Sequence, residues 1–184
     1  MKPTEILKNE HRVIEKMLAV VDRMANQALQ SRILELQSAA QAIDFIRTFA
    51  DKCHHAKEED LLFARMETVG FPRDEGPIAV MLHDHDAGRA FVRGMAGVVE
   101  GAARGEEDAL KTFASNAHGY TEMLRGHIQK EDRILYPMAD ESFDENDQAE
   151  LLAAFEKADN QAGPGIHEKY VELARTLAGQ YGVS

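Results

Sequence analysis

The chain has a single cysteine among its 184 residues, so no internal disulfide framework and no cluster of thiolate metal ligands is available to it. Positive charge is scarce as well: 21 basic against 32 acidic residues leave a formal charge of −11. No stripe of Lys and Arg is gathered anywhere, which argues against nucleic acid as a partner. No uninterrupted apolar run approaches the ~18 to 20 residues of a membrane span. Nor does the polar start Met1-Lys2-Pro3-Thr4-Glu5 contain the apolar core of a signal peptide. A cytoplasmic protein is the expectation. Strand-like alternation is missing throughout, and no repeat of tens of residues recurs.

What remains is helical periodicity. A first helix, capped at Thr4, carries Leu7, His11, Ile14, Leu18, Val21 and Ala25 on one seam. Ser31 is the expected cap of a second helix running to about Val69, with Ile43, Ile46, Ala50, His54, Glu58 and Leu61 facing inward. A third starts near Pro77 and presents Ile78, Met81, His85, Gly88, Val92, Met95 and Val99. The fourth presents Leu110, Phe113, Ala117, Tyr120, Leu124, His127, Glu131, Ile134 and Met138, and Pro137 should bend or stop it. Asp144 caps a further helix to about Ala158, and after Gly163-Pro164-Gly165 a last one covers Ile166 to Leu177. The expected fold is all-α: an antiparallel up-down-up-down four-helix bundle over residues 1–140, with residues 141–184 as a helical extension packed on it.

Each long helix has ionisable residues where an apolar one belongs: His11; His54 with Glu58; His85; His127 with Glu131. A lone histidine on an apolar face is usually a hydrogen-bonded core residue. Four of them, with two His-x-x-x-Glu pairs on common faces, point instead to a metal site. At ~1.5 Å per residue and with alternating directions, all four levels fall toward one end of the bundle. Imidazole with carboxylate suits iron, manganese or zinc. His55, Glu59 and Asp132 lie off the seams and are expected to be solvated or to orient a ligand imidazole. His83, His118 and His167 read as surface residues, with His83 the reserve ligand. Tyr120, Met81 and Cys53 read as packing residues.

Four segments, Asn9-Glu10-His11-Arg12, His54-His55-Ala56-Lys57-Glu58-Glu59, Asp84-His85-Asp86-Ala87-Gly88-Arg89 and His127-Ile128-Gln129-Lys130-Glu131-Asp132, occur in the order and spacing of the hemerythrin-like (HHE cation-binding) family, which residues ~1 to 140 resemble. The resemblance implies two iron ions joined by an oxo or hydroxo bridge, held by His11, His54, Glu58, His85, His127 and Glu131. It also implies a small ligand: O2, nitric oxide or peroxide. Oxygen-carrying hemerythrins place a His-x-x-x-His pair on the third helix, whereas here Met81 and Arg89 flank His85. With two histidines per ion, both ions are expected to keep an open position, which favours reaction with peroxide or nitric oxide over reversible O2 carriage. Gas binding, di-iron redox catalysis, and iron storage or donation to iron–sulfur cluster repair stay open at this stage, as do manganese or zinc occupancy, the electron partner and the oligomeric state.

Overall fold

A computed structural model describes residues 1–183, and among them every regular element is helical. We number six rods. α1 is Pro3–Ser31. α2 opens as Leu36–Phe45, widens through Ile46–His55 and again through Glu58–Leu62, and closes as Phe63–Thr68. α3 is Gly76–Ala103. α4 runs Glu107–Lys130, widens over Glu131–Leu135 and ends as Tyr136–Ser142. α5 is Glu145–Ala162 and α6 is Ile166–Tyr181.

The ends follow local chemistry, and two differ from expectation. Pro3 sits in the first turn of α1, and the Lys2 amide donates to Glu5 Oε2 at 2.7 Å. Thr4 is therefore no cap; it is buried inside the helix and its hydroxyl donates to Asp140 at 2.9 Å. Ser31 does not cap α2 either, because α1 runs through it. Arg32 then turns the chain at φ 58°, and the Glu35 carboxylate caps α2 by accepting from the amides of Gln37 and Ser38. Asp144 does cap α5, through a reciprocal box with Asp147.

Two apolar cores form. Met17, Leu18, Phe45, Phe49, Phe113 and Leu124 belong to one, and Leu7, Leu62, Phe63, Met66, Ile78 and Leu135 to the other. On α1 the chain passes from Leu7 in the second core to Ile14 in the first, with His11 between. α2 returns from Ala50 to Leu62 across His54 and Glu58; α3 goes from Met81 to Val92 across His85; α4 returns from Leu124 to Leu135 across Glu131. One polar layer thus interrupts four rods at the same level. α5 adds Leu151 and Phe155 to the second core, and α6 adds Tyr170, Ala174 and Leu177 to the first.

The wide turns decide which side chains reach that layer. A turn closed by i→i+5 bonds holds one residue more than an α turn, so the inward face moves on by one position. After Glu58–Leu62 the buried residue is Leu62, with the expected Leu61 only half-buried. After Glu131–Leu135 the expected Ile134 is 55% exposed, and Leu135 and Tyr136 are buried in its place. Pro137 does not stop α4, which continues to Ser142. The matching turn before Phe63 has no proline behind it, so such a turn can form in this chain without one. Over Ile46–His55 the same effect lets the successive residues His54 and His55 both turn inward.

Candidate metal centre

The six seam residues meet. His11, His54, His85 and His127 are each 1% exposed, and Glu58 and Glu131 are fully buried. Their ligating atoms form two groups, each within 4.8 Å: His11, His54, Glu58 and Glu131 in one, and His55, Glu58, His85 and His127 in the other. Glu58 belongs to both. Glu131 Oε2 lies 3.2 Å from Nε2 of His11 and 3.2 Å from Nε2 of His127. Glu58 places Oε1 3.6 Å from His54 Nε2 and Oε2 3.4 Å from His85 Nε2. The Nε2 atoms of His85 and His127 face each other at 3.1 Å.

Each of the five imidazoles has a carboxylate behind it. Nδ1 of His11 meets Asp132 at 2.8 Å, that of His54 meets Glu10 at 2.9 Å, and that of His85 meets Glu59 at 2.7 Å. Asp84 stands 3.3 Å from Nδ1 of His127. Asp51 stands 3.5 Å from Nδ1 of His55, too far for a hydrogen bond. A carboxylate that accepts from Nδ1–H leaves the lone pair on Nε2, which is the orientation a ligating histidine needs. Cations hold the carboxylates in turn: Arg12 on Asp132, Lys57 on Glu10, Arg89 on both Asp51 and Glu59, and Lys130 on Asp84.

The buried charges leave work for an ion. Neither oxygen of Glu131 has a hydrogen bond, nor does Oε2 of Glu58. Orphaned buried carboxylate oxygens are costly unless a cation meets them. Without one, imidazolium must serve. Burial opposes charge on His11, but the hydrogen bond to Asp132 and the nearby Glu131 carboxylate raise it to about 9. Burial likewise opposes charge on His127, and the Glu131 charge and Asp84 raise it to about 10. Burial and the His85 charge push His55 down to about 4, and burial holds His54 well below its usual value. Glu58 and Glu131 stay low despite their burial because imidazoles surround them. Five imidazoles and two carboxylates around one enclosed layer, with no thiolate, fit a pair of nitrogen- and oxygen-ligated ions.

One assignment from the sequence changes. His55 is 5% exposed and stacks on His85 with centroids 3.9 Å apart, so it stands inside the second group rather than supporting it from outside. His83 is exposed, as a surface residue should be, and His118 is half-buried beside Asp22. Tyr136 was not foreseen: its hydroxyl donates to Glu58 Oε1 at 2.5 Å and lies 3.3 Å from His11 Nε2. Burial and the two carboxylates hold that phenol well above its ordinary range. Glu59 and Asp132 take the orienting place expected of them, while the matching places of Glu10, Asp84 and Asp51 had no signal in the helical period. Tyr120 and Met81 are buried as packing residues, and burial raises the thiol of half-buried Cys53.

A family model for the hemerythrin HHE cation-binding domain matches residues 2–139. Among curated proteins, an uncharacterized protein of Mycobacterium tuberculosis is 28% identical over 137 residues, 72% of this chain. A second uncharacterized protein, from Mycobacterium bovis, matches to the same degree, and the chain spans about half the length of these relatives, 51%. No solved structure matches. Among the described residues no helix is long and apolar enough to cross a membrane.

Proposed function

The chain belongs to the hemerythrin HHE cation-binding family, and from that premise we propose that it is a non-haem di-iron protein that binds or reacts with O2, nitric oxide or peroxide. The observation that carries this reading is the pair of buried four-residue groups sharing Glu58. His11, His54, Glu58, His85, His127 and Glu131 would hold the two ions, and His55, inside the second group, would offer a further nitrogen. Bound iron supplies Lewis acidity and redox equivalents for the small ligand. The chain's own residues do the rest. Asp132, Glu10, Glu59 and Asp84 fix the imidazole tautomers, and the two apolar cores above and below exclude water.

His55 alters the reading of the open positions. The half containing His85 and His127 gains a third imidazole, so only the half containing His11 and His54 keeps two. We read the alternating passage of α1 to α4 between the two cores as the up-down-up-down four-helix bundle, formed by residues 1–140 with residues 141–184 packed against it. A cytoplasmic setting suits the free thiol of Cys53.

Elemental analysis of the protein from iron-replete cells tests the proposal, together with visible spectra of the reduced protein exposed in turn to O2, nitric oxide and peroxide. About two iron per chain and a new absorption with at least one of the three are expected. Less than a tenth of an equivalent of any metal would refute it. Iron that loads but responds to none of the three would leave storage or donation as the function.

A further inference from the structure

A cavity of about 210 Å³ lies between α2 and α3, lined also by Tyr120 of α4. Its walls form a ladder, in which numbers fall by four along α2 as they rise by four along α3: His55, Asp51 and Arg47 face His85, Arg89 and Arg93. On the buried rung the two imidazoles stack, with centroids 3.9 Å apart. On the next, Arg89 Nε donates to Asp51 Oδ1 at 2.9 Å. The outer rung brings two guanidinium groups to one gap. Arg47 and Arg93 are exposed, and neither has an ion-pair partner among the described residues, although the chain holds 32 acidic residues. Like charges set together repel unless an anion bridges them. Beside them the lining includes apolar Ile46 and Val92. Tyr120 is 2% exposed, yet its hydroxyl has no hydrogen bond among the described residues. Burial and the Asp51 charge hold that phenol above its ordinary range, so it stays protonated and can donate.

We infer that this cavity binds a short-chain carboxylate, whose head bridges Arg47 and Arg93 and accepts from the Tyr120 hydroxyl while its apolar body lies on Ile46 and Val92. Nothing in this binding depends on an ion, so it stands apart from the di-iron reading. Three features select the class. A guanidinium is a planar fork that matches the two oxygens of a carboxylate. Arg47, Arg93 and Tyr120 all offer donors, while the acceptor in the same wall, Asp51, is already held by Arg89. And the volume, about seven times the ~30 Å³ share of one water, takes an acid of a few carbons but no nucleotide or sugar phosphate. A mostly apolar lining with a few convergent polar groups is the usual make-up of a small-molecule site. The cavity ends on His55 and His85, so the bound acid lies against the imidazole layer from outside.

The test titrates the full chain, as purified and after chelation, with acetate, propionate and butyrate by calorimetry. Saturable one-to-one binding is expected in both preparations, tightening about fourfold per added methylene. Arg47→Gln and Arg93→Gln should each weaken butyrate about tenfold, and Tyr120→Phe about threefold. Without the acid, each arginine variant should keep or raise the parent Tm, since it removes a repulsion. A fall of more than about 3 °C would make that arginine a structural residue and overturn the inference. Butyramide, which has the body without the charge, should not bind, and its binding as tightly as butyrate would overturn the inference. So would inorganic phosphate binding as tightly as butyrate, or an affinity flat from acetate to butyrate, because charge alone would then decide. Binding confined to the metal-loaded chain would place the carboxylate on an ion and equally overturn it. No saturation below about 10 mM butyrate, or unchanged affinity in both arginine variants, would do the same. The iron content is read separately, and none of these outcomes alters it.

Discussion

Lys57 is 2% exposed, and its ammonium sits between Glu10, 2% exposed, and Asp159 on α5, 3.0 Å away, with the Phe155 ring 5.8 Å from Nζ. Glu10 in turn holds His54 Nδ1 at 2.9 Å. Replacing Lys57 by Met keeps most of the apolar stem and removes the charge, leaving the Glu10 carboxylate buried without its cation. Breaking one side of a buried pair costs about 3–5 kcal/mol, far more than losing a surface ion pair. Burial already raises Glu10, and Lys57 is what opposes that rise, so Glu10 should take up a proton in the variant. For a chain of this size each kcal/mol shifts Tm by roughly 2–4 °C, so Lys57→Met should melt about 6–20 °C lower. Adding Glu10→Gln removes the stranded charge and should restore at least half of the loss, the coupling a double-mutant cycle reads. The assay is thermal unfolding of both single variants and the double variant, metal-free and at fixed pH. A drop under about 3 °C in Lys57→Met, or strict additivity in the double variant, refutes the reasoning.

Other outcomes follow from the same geometry. His54→Ala and Glu131→Ala should lose bound metal and His55→Ala at least half of it, while exposed His83→Ala keeps the parent content by elemental analysis; equal retention in all four would undo the ligand assignment. Phe155→Ala empties a fully buried site in the second core and should cost about 3–5 kcal/mol in urea unfolding, and a loss under about 1 kcal/mol would mean α5 is dispensable to that core. The metal-free chain should be most stable near the ordinary histidine value of 6.5. Above it, stability from His11 and His127 is lost as pH rises through about 9 and about 10, because their folded values are raised. Below it, His55, with a folded value of about 4, must remain neutral while the unfolded chain takes up protons, so stability falls again. Urea midpoints of chelator-treated protein from pH 5 to 9 that climb without a maximum would contradict this. Metal present at about a hundred times its dissociation constant should add about 2.7 kcal/mol, or roughly 5–10 °C in Tm, and a chelator should reverse it.

Much of this protein is written in its helical period. An apolar residue every three or four positions, interrupted once or twice per helix by His or Glu, specifies four amphipathic rods and a polar layer across them, because residues three and four apart share a face whatever the tertiary surroundings. His11, His54, Glu58, His85, His127 and Glu131 were legible for that reason, and so was Asp144 as a cap, whose box is built within four residues. Thr4 and Ser31 misled because either could cap a helix, and the choice fell to Asp140 holding Thr4 and to the amide of Leu34 donating to Ala102 on α3. The wide turns were illegible: an i→i+5 bond leaves no mark in composition, yet it moves the inward face by one residue. That shift brings His55 beside His85, carries Ile134 out to solvent and puts Tyr136 on Glu58. Which imidazole each supporting carboxylate reaches was illegible for a similar reason. Asp132 reaches His11, Glu59 reaches His85 and Asp84 reaches His127 from a different rod each time. The sequence by itself determined the rods, the layer and the donor chemistry, since these depend on residue type and spacing along one helix. Only the tertiary structure decided how many imidazoles enter the layer, what orients each of them and which half carries a hydroxyl, since these depend on the phase of one helix against its neighbours.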